Sequence, residues 1–332
     1  MKTIKKACVL ATSLFLASCV DGITTGFSIG LTANDSPLLH NTDNYSETTY
    51  PIVLVHGLYG FDDIFGMEYF YQIPQVLRNG GARVYIGVVS GTTTPEIRGE
   101  QLITQIEDFI ALADVDAGGG GTITKVNLFG HSLGSPTIRY VASVRPDLVA
   151  SVTSIGGANY GSEAANWDKL ELPMVRGIVN VMGNALGHLI DAVSQNAFEQ
   201  NIIATLNAMN DEGIAEFNLS YDEGLVGLCG GNNAADVVDN NILYYSWGGN
   251  KPATNRFDPL DILHKATAKL ITAESDGMVQ RCSTHLGFVI KDDYPMNHLD
   301  LMNWFLALRD DAAPYPPSIY RTQANRLKLQ GL

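Results

Sequence analysis

The chain has 332 residues, of which 45% are hydrophobic and 17% are charged. This composition provides material for one large or two ordinary domains and excludes a disordered chain. The 21 basic residues are outnumbered by 35 acidic residues, and the net charge of −14 argues against a nucleic-acid partner, whose phosphate backbone attracts basic proteins.

The N-terminus has the features of a targeting segment, and residues 1–18 are predicted to be a signal peptide. Three lysines accompany an apolar stretch, Ala7–Leu16, that is too short to span a bilayer. The following Leu16-Ala17-Ser18-Cys19 is similar to a bacterial lipobox, in which the cysteine becomes the lipidated N-terminus. We expect an exported protein, either an outer-membrane lipoprotein or, with an ordinary secretory signal, a secreted extracellular protein.

Residues 19–49 are rich in Gly, Thr, Ser and Asn and lack sustained periodicity, which predicts a tether or flexible leader. A folded domain is expected over 50–332, with order beginning at Pro51. Once the signal peptide is removed and Cys19 is lipidated or lost, Cys229 and Cys282 remain. Two cysteines in an exported chain most simply form a disulfide, here closing a loop of about 53 residues.

The hydrophobic pattern alternates between short strands and helices. Strands are predicted at 52–55, 83–89, 125–129, 152–155 and 242–247, and helices at 95–113 and 136–145. Such alternation predicts an α/β fold with a mostly parallel sheet covered by helices on both faces. The stretch from 160 to 240 is interpreted as an insertion and not as a second domain.

The pentapeptide Gly130-His131-Ser132-Leu133-Gly134 is the strongest chemical signal. It follows a predicted strand and precedes a predicted helix, the context that gives the G-x-S-x-G pattern its meaning. The two glycines permit a tight turn that exposes the Ser132 hydroxyl, and the helix N-terminus adds a positive dipole end. We therefore expect Ser132 to be a catalytic nucleophile.

A serine nucleophile needs a base, and the base needs an acid that orients it. In proteins with this strand–serine–helix turn, the three triad residues follow one another along the chain in the order Ser, then Asp or Glu, then His. Of the histidines after Ser132, His188 and His264 are assigned to helix surfaces, which leaves His285 and His298. His298 is favoured because it lies in a loop before a terminal helix.

For the acid, Asp276 is favoured because Glu274–Gly277 has the composition of a turn, from which a side chain can project. Spacing alone leaves Asp258, Asp261 and Asp292 as alternatives.

The transition state also needs two amide donors for its oxyanion. The residue after the nucleophile, Leu133, supplies one N–H. The loop after the first strand, His56-Gly57-Leu58, is expected to supply the other from Leu58.

These segments resemble the bacterial true lipases typified by the Pseudomonas and Burkholderia triacylglycerol lipases. The resemblance covers roughly residues 50–332. Matching segments are Val55-His56-Gly57 through Gly60-Phe61-Asp62, Arg98-Gly99-Glu100-Gln101-Leu102, Thr137-Ile138-Arg139-Tyr140-Val141, Asp276-Gly277 with Cys282 and His285-Leu286-Gly287, and Met296-Asn297-His298-Leu299-Asp300.

The resemblance implies an α/β-hydrolase fold and a triad of Ser132, Asp276 and His298, with Leu58 and Leu133 at the oxyanion positions. The family usually has Met and His at those two positions, but the donors are backbone amides. The resemblance also matches Cys229 and Cys282 to the single disulfide of the family.

A structural calcium ion (Ca²⁺) is implied as well. Asp258 and Asp300 match its carboxylate ligands, and positions Trp304 and Leu308 match its backbone carbonyl ligands. Two carboxylates and two carbonyls suit a hard cation. Trp304 replaces a glutamine of the family, and since the contact is a carbonyl oxygen, calcium binding is expected to survive.

The apolar, helically spaced residues of 175–198 predict a core helix or, with the family match, a lid around 160–200 that opens at a lipid–water interface. The expected activity is hydrolysis of triacylglycerol esters through an acyl-enzyme. A carboxylesterase or phospholipase with the same triad is the alternative, and a catalytically silent lipid-binding protein is a third. The resemblance further implies a membrane-anchored, lipase-specific folding chaperone as a partner.

Overall fold

A mostly parallel β-sheet organises the protein. The computed structural model describes residues 43–60, 63–64, 67–166, 198–230, 237–304 and 307–332. In these residues the strands are β1 (Ile52–Val55), β2 (Asp63–Ile64), β3 (Met67–Glu68), β4 (Val84–Gly87), β5 (Val126–His131), β6 (Val149–Ile155), β7 (Val237–Asp239), β8 (Ile242–Gly249) and β9 (Phe288–Tyr294). The main sheet has the order β4-β1-β5-β6-β8-β7, with β9 also paired to β8. β7 runs antiparallel to β8, whereas the other described pairs of this sheet are parallel.

Helices cover this sheet and begin where the sequence supplies suitable first residues. They are α1 (Ile73–Asn79), α2 (Pro95–Asp116), α3 (Gly134–Val144), α4 (Ile202–Met209), α5 (Asp211–Ser220), α6 (Asp261–Thr267) and α7 (Pro316–Leu329). Proline opens α2 and α7, where its missing N–H costs nothing. The side chains of Asn201 and Asn210 cap α4 and α5 by accepting a free backbone N–H.

Both faces of the sheet are buried, which explains the uninterrupted apolar run of β1. Ile52 and Leu54 point into a core that includes Tyr320 of α7, and Val53 and Val55 point into a core that includes residues of α2 and α3. Side chains alternate between the two faces of a strand, so every residue of β1 meets a hydrophobic layer. The expected α/β architecture is therefore confirmed.

The predicted element boundaries differ from the observed ones by a few residues. The strand predicted at 125–129 continues to His131, the one predicted at 152–155 begins at Val149, and α3 begins two residues before Pro136. His298 is followed first by a short 3₁₀ turn, Asp300–Met302, and only later by α7.

The leader was expected to be flexible up to residue 49, and this expectation is wrong for its last part. Ser46 and Thr48 are buried. The Thr49 N–H donates to the C-terminal Leu332 carbonyl, and Asp43 pairs with Arg321 of α7. The chain divides after Pro37, and the unit that follows contains every described residue.

The predicted signal peptide and most of the predicted lid fall on parts of the chain outside the described residues. Of the stretch from 160 to 200, the structure describes 160–166, with a 3₁₀ turn at Glu163–Ala165, and 198–200. Among the described helices, none combines the length and apolarity needed to cross a membrane.

Candidate active site

Ser132 sits at a strained turn between β5 and α3. Its backbone φ of 57° lies in the left-handed region, which is uncommon for a residue with a side chain. A Cβ on Gly130 would collide with the Gly134 carbonyl, and one on Gly134 would collide with the Val55 carbonyl. Only glycine fits on either side, so the sequence pattern Gly-x-Ser-x-Gly follows from the close approach of β5, α3 and β1.

His298 and Asp276 form a buried pair. The His298 Nδ1–H donates to Asp276 Oδ2 at 2.7 Å, and its backbone N–H donates to the Asp276 carbonyl at 2.9 Å. The other carboxylate oxygen accepts the N–H groups of Met278 and Val279 at 2.9 and 2.8 Å. With Nδ1 protonated, His298 Nε2 carries the lone pair, and this buried atom has no hydrogen-bond partner among the described residues.

Ser132 and His298 line the same pocket. Its volume is about 230 Å³, and most of its lining is apolar, including Leu133, Leu206 and Met209. The structure thus brings together the predicted nucleophile and the predicted base, which are 166 positions apart in the chain. The pocket has the mixture of apolar walls and a few polar groups that is typical of small-molecule sites.

The two predicted oxyanion residues, Leu58 and Leu133, also line this pocket. Leu133 directly follows Ser132 at the start of α3. A Cβ on Gly57 would lie 2.6 Å from Ser132 Cβ, so the loop after β1 passes directly against the serine. Tyr59 in this loop has a φ of 53°, a second strained residue beside the site.

A chain of buried hydrogen bonds joins the loop after β1 to the loop of His298. The Gly57 N–H donates to the Tyr69 hydroxyl at 3.0 Å, and this hydroxyl donates to His131 Nδ1 at 2.8 Å. The His131 Nε2–H then donates to the His298 carbonyl at 3.0 Å. Burial lowers the pKa of His131 well below 6.5, so the ring is neutral and its tautomer is fixed by its two partners.

Arg98 supports the same loop from below. It is completely buried, and its guanidinium donates to the carbonyls of His56 and Ser90 and to the Thr137 hydroxyl. Burial lowers the pKa of Arg98 to about 9, and burial together with Arg98 lowers the pKa of His56 to about 3. Arg98 therefore ties α2 and α3 to the loops that follow β1 and β4.

Sequence reasoning did not identify Tyr69, His131 and Arg98 as parts of the site. Arg98 appeared only inside a matching segment, and His131 only as the variable position of the Ser132 pentapeptide. No local pattern marks Tyr69, because its role depends on contacts with residues 12 and 62 positions away.

The alternatives left open by spacing have other partners. His285 donates to Asp292 and contacts the Gly230 carbonyl, and Asp292 also pairs with Arg281. Asp261 accepts hydrogen bonds from the backbone N–H groups of residues 254 and 255 and from the Asn297 amide. His188 lies outside the described residues.

The assignment of His264 to a helix surface is wrong. The residue is 1% exposed and lines the pocket together with Ser132 and His298. Burial lowers its pKa to about 4, so it is a neutral imidazole at pH 7. A Cβ on Gly277 would lie 2.7 Å from His264 Cβ, so α6 packs directly against the turn that carries Asp276.

Asp258 and Asp300, the predicted calcium ligands, are both buried. Burial raises the pKa of Asp300 to about 7 and raises the pKa of Asp258 above 3.8. One oxygen of each, Asp258 Oδ2 and Asp300 Oδ1, has no hydrogen-bond partner among the described residues. Two buried carboxylate oxygens without a partner fit a hard cation, since unpaired buried carboxylates are costly.

The remaining predicted ligands are backbone groups. Trp304 donates its indole N–H to the Glu68 carbonyl, and Leu308 lies one residue after Ala307, whose φ is 60°. In the described part of the chain, no group of three His, Cys, Asp or Glu side chains is suited to a metal. A site here would therefore depend on carbonyls in addition to the two carboxylates.

Cys229 and Cys282 form a disulfide, with their Cα atoms 4.4 Å apart. It ties the segment after α5 to the 3₁₀ turn Arg281–Thr284, shortly after Asp276. The pairing expected from the sequence is present in the structure.

Residues 50–189 match a protein family that is described as having the α/β-hydrolase fold. The chain is 44% identical over 317 residues to a triacylglycerol lipase of Vibrio cholerae serotype O1, covering 92% of this chain and 96% of the relative. It is 39% identical to a triacylglycerol lipase of Pseudomonas fragi, covering 87% of this chain and all of the relative.

The fold is also similar to that of the Staphylococcus hyicus lipase, with a TM-score of 0.57 and 17% identity over 86% of this chain and 97% of that one. This structural likeness supports the fold, and the sequence relatives support the family. The chain belongs to the triacylglycerol lipase family within the α/β hydrolases, and it is a lipase that hydrolyses carboxylic esters.

Proposed function

We propose that the protein hydrolyses triacylglycerol through a catalytic triad of Ser132, His298 and Asp276. One observation carries the proposal. Asp276 holds His298 through Nδ1, which leaves Nε2 without a hydrogen-bond partner among the described residues. His298 and the strained Ser132 line the same pocket. A nucleophile, an oriented base and an apolar binding space are thus collected in one cavity, as acyl transfer requires.

In the first half of the reaction, Ser132 Oγ attacks the ester carbonyl carbon and its proton passes to His298 Nε2. Asp276 stabilises the imidazolium that forms, and two backbone N–H groups hold its carboxylate in position. The backbone amides of Leu58 and Leu133 stabilise the oxyanion. When the intermediate collapses, the bond to the alcohol oxygen breaks and His298 returns the proton to the leaving diacylglycerol.

In the second half, water attacks the acyl carbon of the Ser132 ester and gives its proton to His298. Collapse of this intermediate releases the fatty acid and returns the proton to the Ser132 oxygen. The apolar walls of the pocket, among them Leu206 and Met209, hold the acyl chain in both halves.

The test compares the full chain with its Ser132→Ala variant on emulsified triolein, on a short soluble ester and on phospholipid. The proposal expects a loss of about 10⁴-fold or more in kcat for Ser132→Ala, and the highest wild-type rate on triolein. A preference for soluble esters or phospholipid would contradict the substrate, and an active Ser132→Ala variant would contradict the triad.

The proposal includes a structural calcium ion held by Asp258 and Asp300 with the carbonyls of Trp304 and Leu308. Bound calcium would neutralise the two buried carboxylates. Because Asp300 lies two residues after His298 and also accepts the Asn297 N–H, these residues would fix the loop that carries the base. The ion would have no step of the reaction to perform.

Export, lipidation and assisted folding complete the proposal. Residues 1–18 would be removed, and Cys19 would carry lipid at the new N-terminus or be lost in a secreted form. Mass spectrometry of the mature protein tests this, since an intact residue 1 would contradict it. A membrane-anchored folding chaperone would be needed for activity, and full activity after simple refolding of the chain alone would contradict that partner.

A further inference from the structure

Exposed apolar side chains gather in the segment around α6. Phe257 is 68% exposed, Ile262 75%, Leu263 52% and Leu270 44%. Elsewhere in the described part of the chain, exposed large apolar side chains occur singly or at spaced positions on α2, and Leu219 on α5 is an example. Single exposed apolar residues are ordinary, whereas four within fourteen residues of the chain are a candidate interaction surface.

The cluster is continuous with the wall of the catalytic pocket. Leu263 is half exposed and also lines the pocket that contains Ser132 and His298. Its neighbour His264 points into the same pocket from the buried side of α6. A surface that contacts the outer face of α6 therefore lies directly beside the site of ester cleavage.

Three exposed cations lie in the same segment of the chain as these apolar side chains. Arg256, Lys265 and Lys269 form no ion pair with a carboxylate in the described residues, and the Arg256 guanidinium lies 4.6 Å from the centre of the Phe257 ring. The two acids of the same segment, at 258 and 261, are each 3% exposed and face inward. The exposed charges of residues 256–270 are therefore all positive, in a chain with a net charge of −14. Glu163 is a neighbouring acid, and its carboxylate accepts hydrogen bonds from Thr272 at the far end of this segment.

We define the docking surface as the apolar residues Phe257, Ile262, Leu263 and Leu270 with the cations Arg256, Lys265 and Lys269. We propose that the docking surface binds a negatively charged lipid surface, and that fatty-acid carboxylates at a triacylglycerol droplet supply the charge. The proposal rests on the proposed lipase function. The apolar side chains enter the lipid while the cations meet the carboxylates, as in amphipathic interfacial helices.

Because the protein as a whole is acidic, its binding to an anionic surface depends on the three cations of the docking surface. An acidic protein is repelled by an anionic surface at long range, and at physiological salt this repulsion is screened beyond about 8 Å. Within that distance the three cations interact directly with the carboxylates. Fatty acid that the enzyme releases therefore strengthens the binding of the enzyme to a partly digested droplet.

The experiment measures flotation of the full chain with vesicles. Ser132→Ala is the parent for every variant, so that no fatty acid is produced during the measurement. The vesicles are phosphatidylcholine alone, phosphatidylcholine with oleate at a mildly alkaline pH where oleate is ionised, and phosphatidylcholine with phosphatidylglycerol. Melting temperatures establish that each variant is folded.

Oleate is expected to tighten binding of the parent. The double variant Lys265→Glu/Lys269→Glu should lose this gain, with at least about 25-fold weaker binding to oleate vesicles, since each cation contributes about fivefold. The double variant Phe257→Ser/Ile262→Ser should bind all vesicles more weakly. Leu219→Ser, which removes an 87% exposed side chain from α5, is the matched control and should bind like the parent.

Equal binding to vesicles with and without oleate would overturn the proposal, as would an oleate gain that survives the two charge reversals. Tighter binding to phosphatidylglycerol but not to oleate would overturn fatty acid as the source of the charge. The proposed triad is tested separately, by comparing soluble-ester hydrolysis by the wild type and by Ser132→Ala. If that test contradicts the triad, the flotation result is unaffected.

Discussion

The positions of the proposed catalytic groups depend on residues that would take no part in the chemistry. Tyr69 receives the Gly57 N–H and donates to His131, and His131 donates to the carbonyl of His298. Each hydrogen bond fixes the direction of the next, because the Tyr69 hydroxyl has one proton and the neutral His131 has one. The loop after β1 and the loop that carries His298 are therefore held in a fixed relation.

Tyr69→Phe should separate this positioning role from simple packing. The change leaves the Gly57 N–H and His131 Nδ1 without their partner, and we expect kcat on a soluble ester to fall about 10- to 100-fold with little change in KM. Tyr320→Phe is the matched control, since Tyr320 is also buried and its hydroxyl has no hydrogen-bond partner among the described residues. Equal kcat values for the two variants would contradict the role of Tyr69.

At this scale the sequence is informative where chemistry and backbone geometry act together. Ser132 could be predicted as the nucleophile because its two flanking glycines are required by a tight turn between a strand and a helix. This turn leaves a recognisable pattern in the sequence. Spacing alone left two histidines and four acids open, and the family resemblance selected His298 and Asp276. His264 was misassigned because α6 reverses the usual pattern of burial. It leaves the apolar Ile262 and Leu263 exposed and buries the polar His264 where the helix packs against Gly277.

At the scale of elements, Arg98 joins parts of the fold that meet beneath the site. It reaches the carbonyl ends of β1 and β4 and the first turns of α3 while it belongs to α2. Arg98 pairs with no carboxylate in the described part of the chain, and carbonyl and hydroxyl oxygens satisfy its buried guanidinium instead.

Arg98→Met is expected to lower the free energy of unfolding by about 2–4 kcal/mol, because the carbonyls of His56 and Ser90 lose their donor. The control is Arg145→Met, which breaks two exposed ion pairs, with Glu107 and Asp147, and should cost less than about 1 kcal/mol. Urea unfolding curves measure both. Similar losses for the two variants would show that Arg98 is not a structural junction.

The order of elements was predictable because buried parallel strands are continuous apolar runs and α2 has a regular apolar face. The strands β2, β3, β7 and β9 were not predicted. β9 contains three charged residues in succession, Lys291, Asp292 and Asp293, because it lies at the sheet edge and its side chains are only partly buried or exposed. Edge strands of this kind lack the apolar signal on which the prediction depended.

For the whole molecule, the calcium proposal predicts that stability depends on a divalent cation. Chelation with EDTA should lower the melting temperature of the wild type by about 5 °C or more, since a tightly bound ligand contributes several kcal/mol to the folded state. Asp300→Asn should melt at a temperature that EDTA does not change. A wild-type melting curve that is the same with calcium and with EDTA would contradict the site.

The packing of residues 43–49 against the C-terminal helix is also a property of the whole molecule. Asp43 and Arg321 are 278 positions apart, and the Thr49 N–H meets the last residue of the chain. Composition predicted a flexible leader because Ser, Thr and Asn are common in loops. It could not show that the two ends of the domain meet.

The most direct test of the account is the rate at which an alkyl phosphonate ester labels the wild type and His298→Asn, followed by mass spectrometry of the modified peptide. We expect one adduct, on Ser132, that forms at least about 10³-fold more slowly in His298→Asn because the proposed base is missing. Labelling of another residue, or an equal rate in the two proteins, would contradict it.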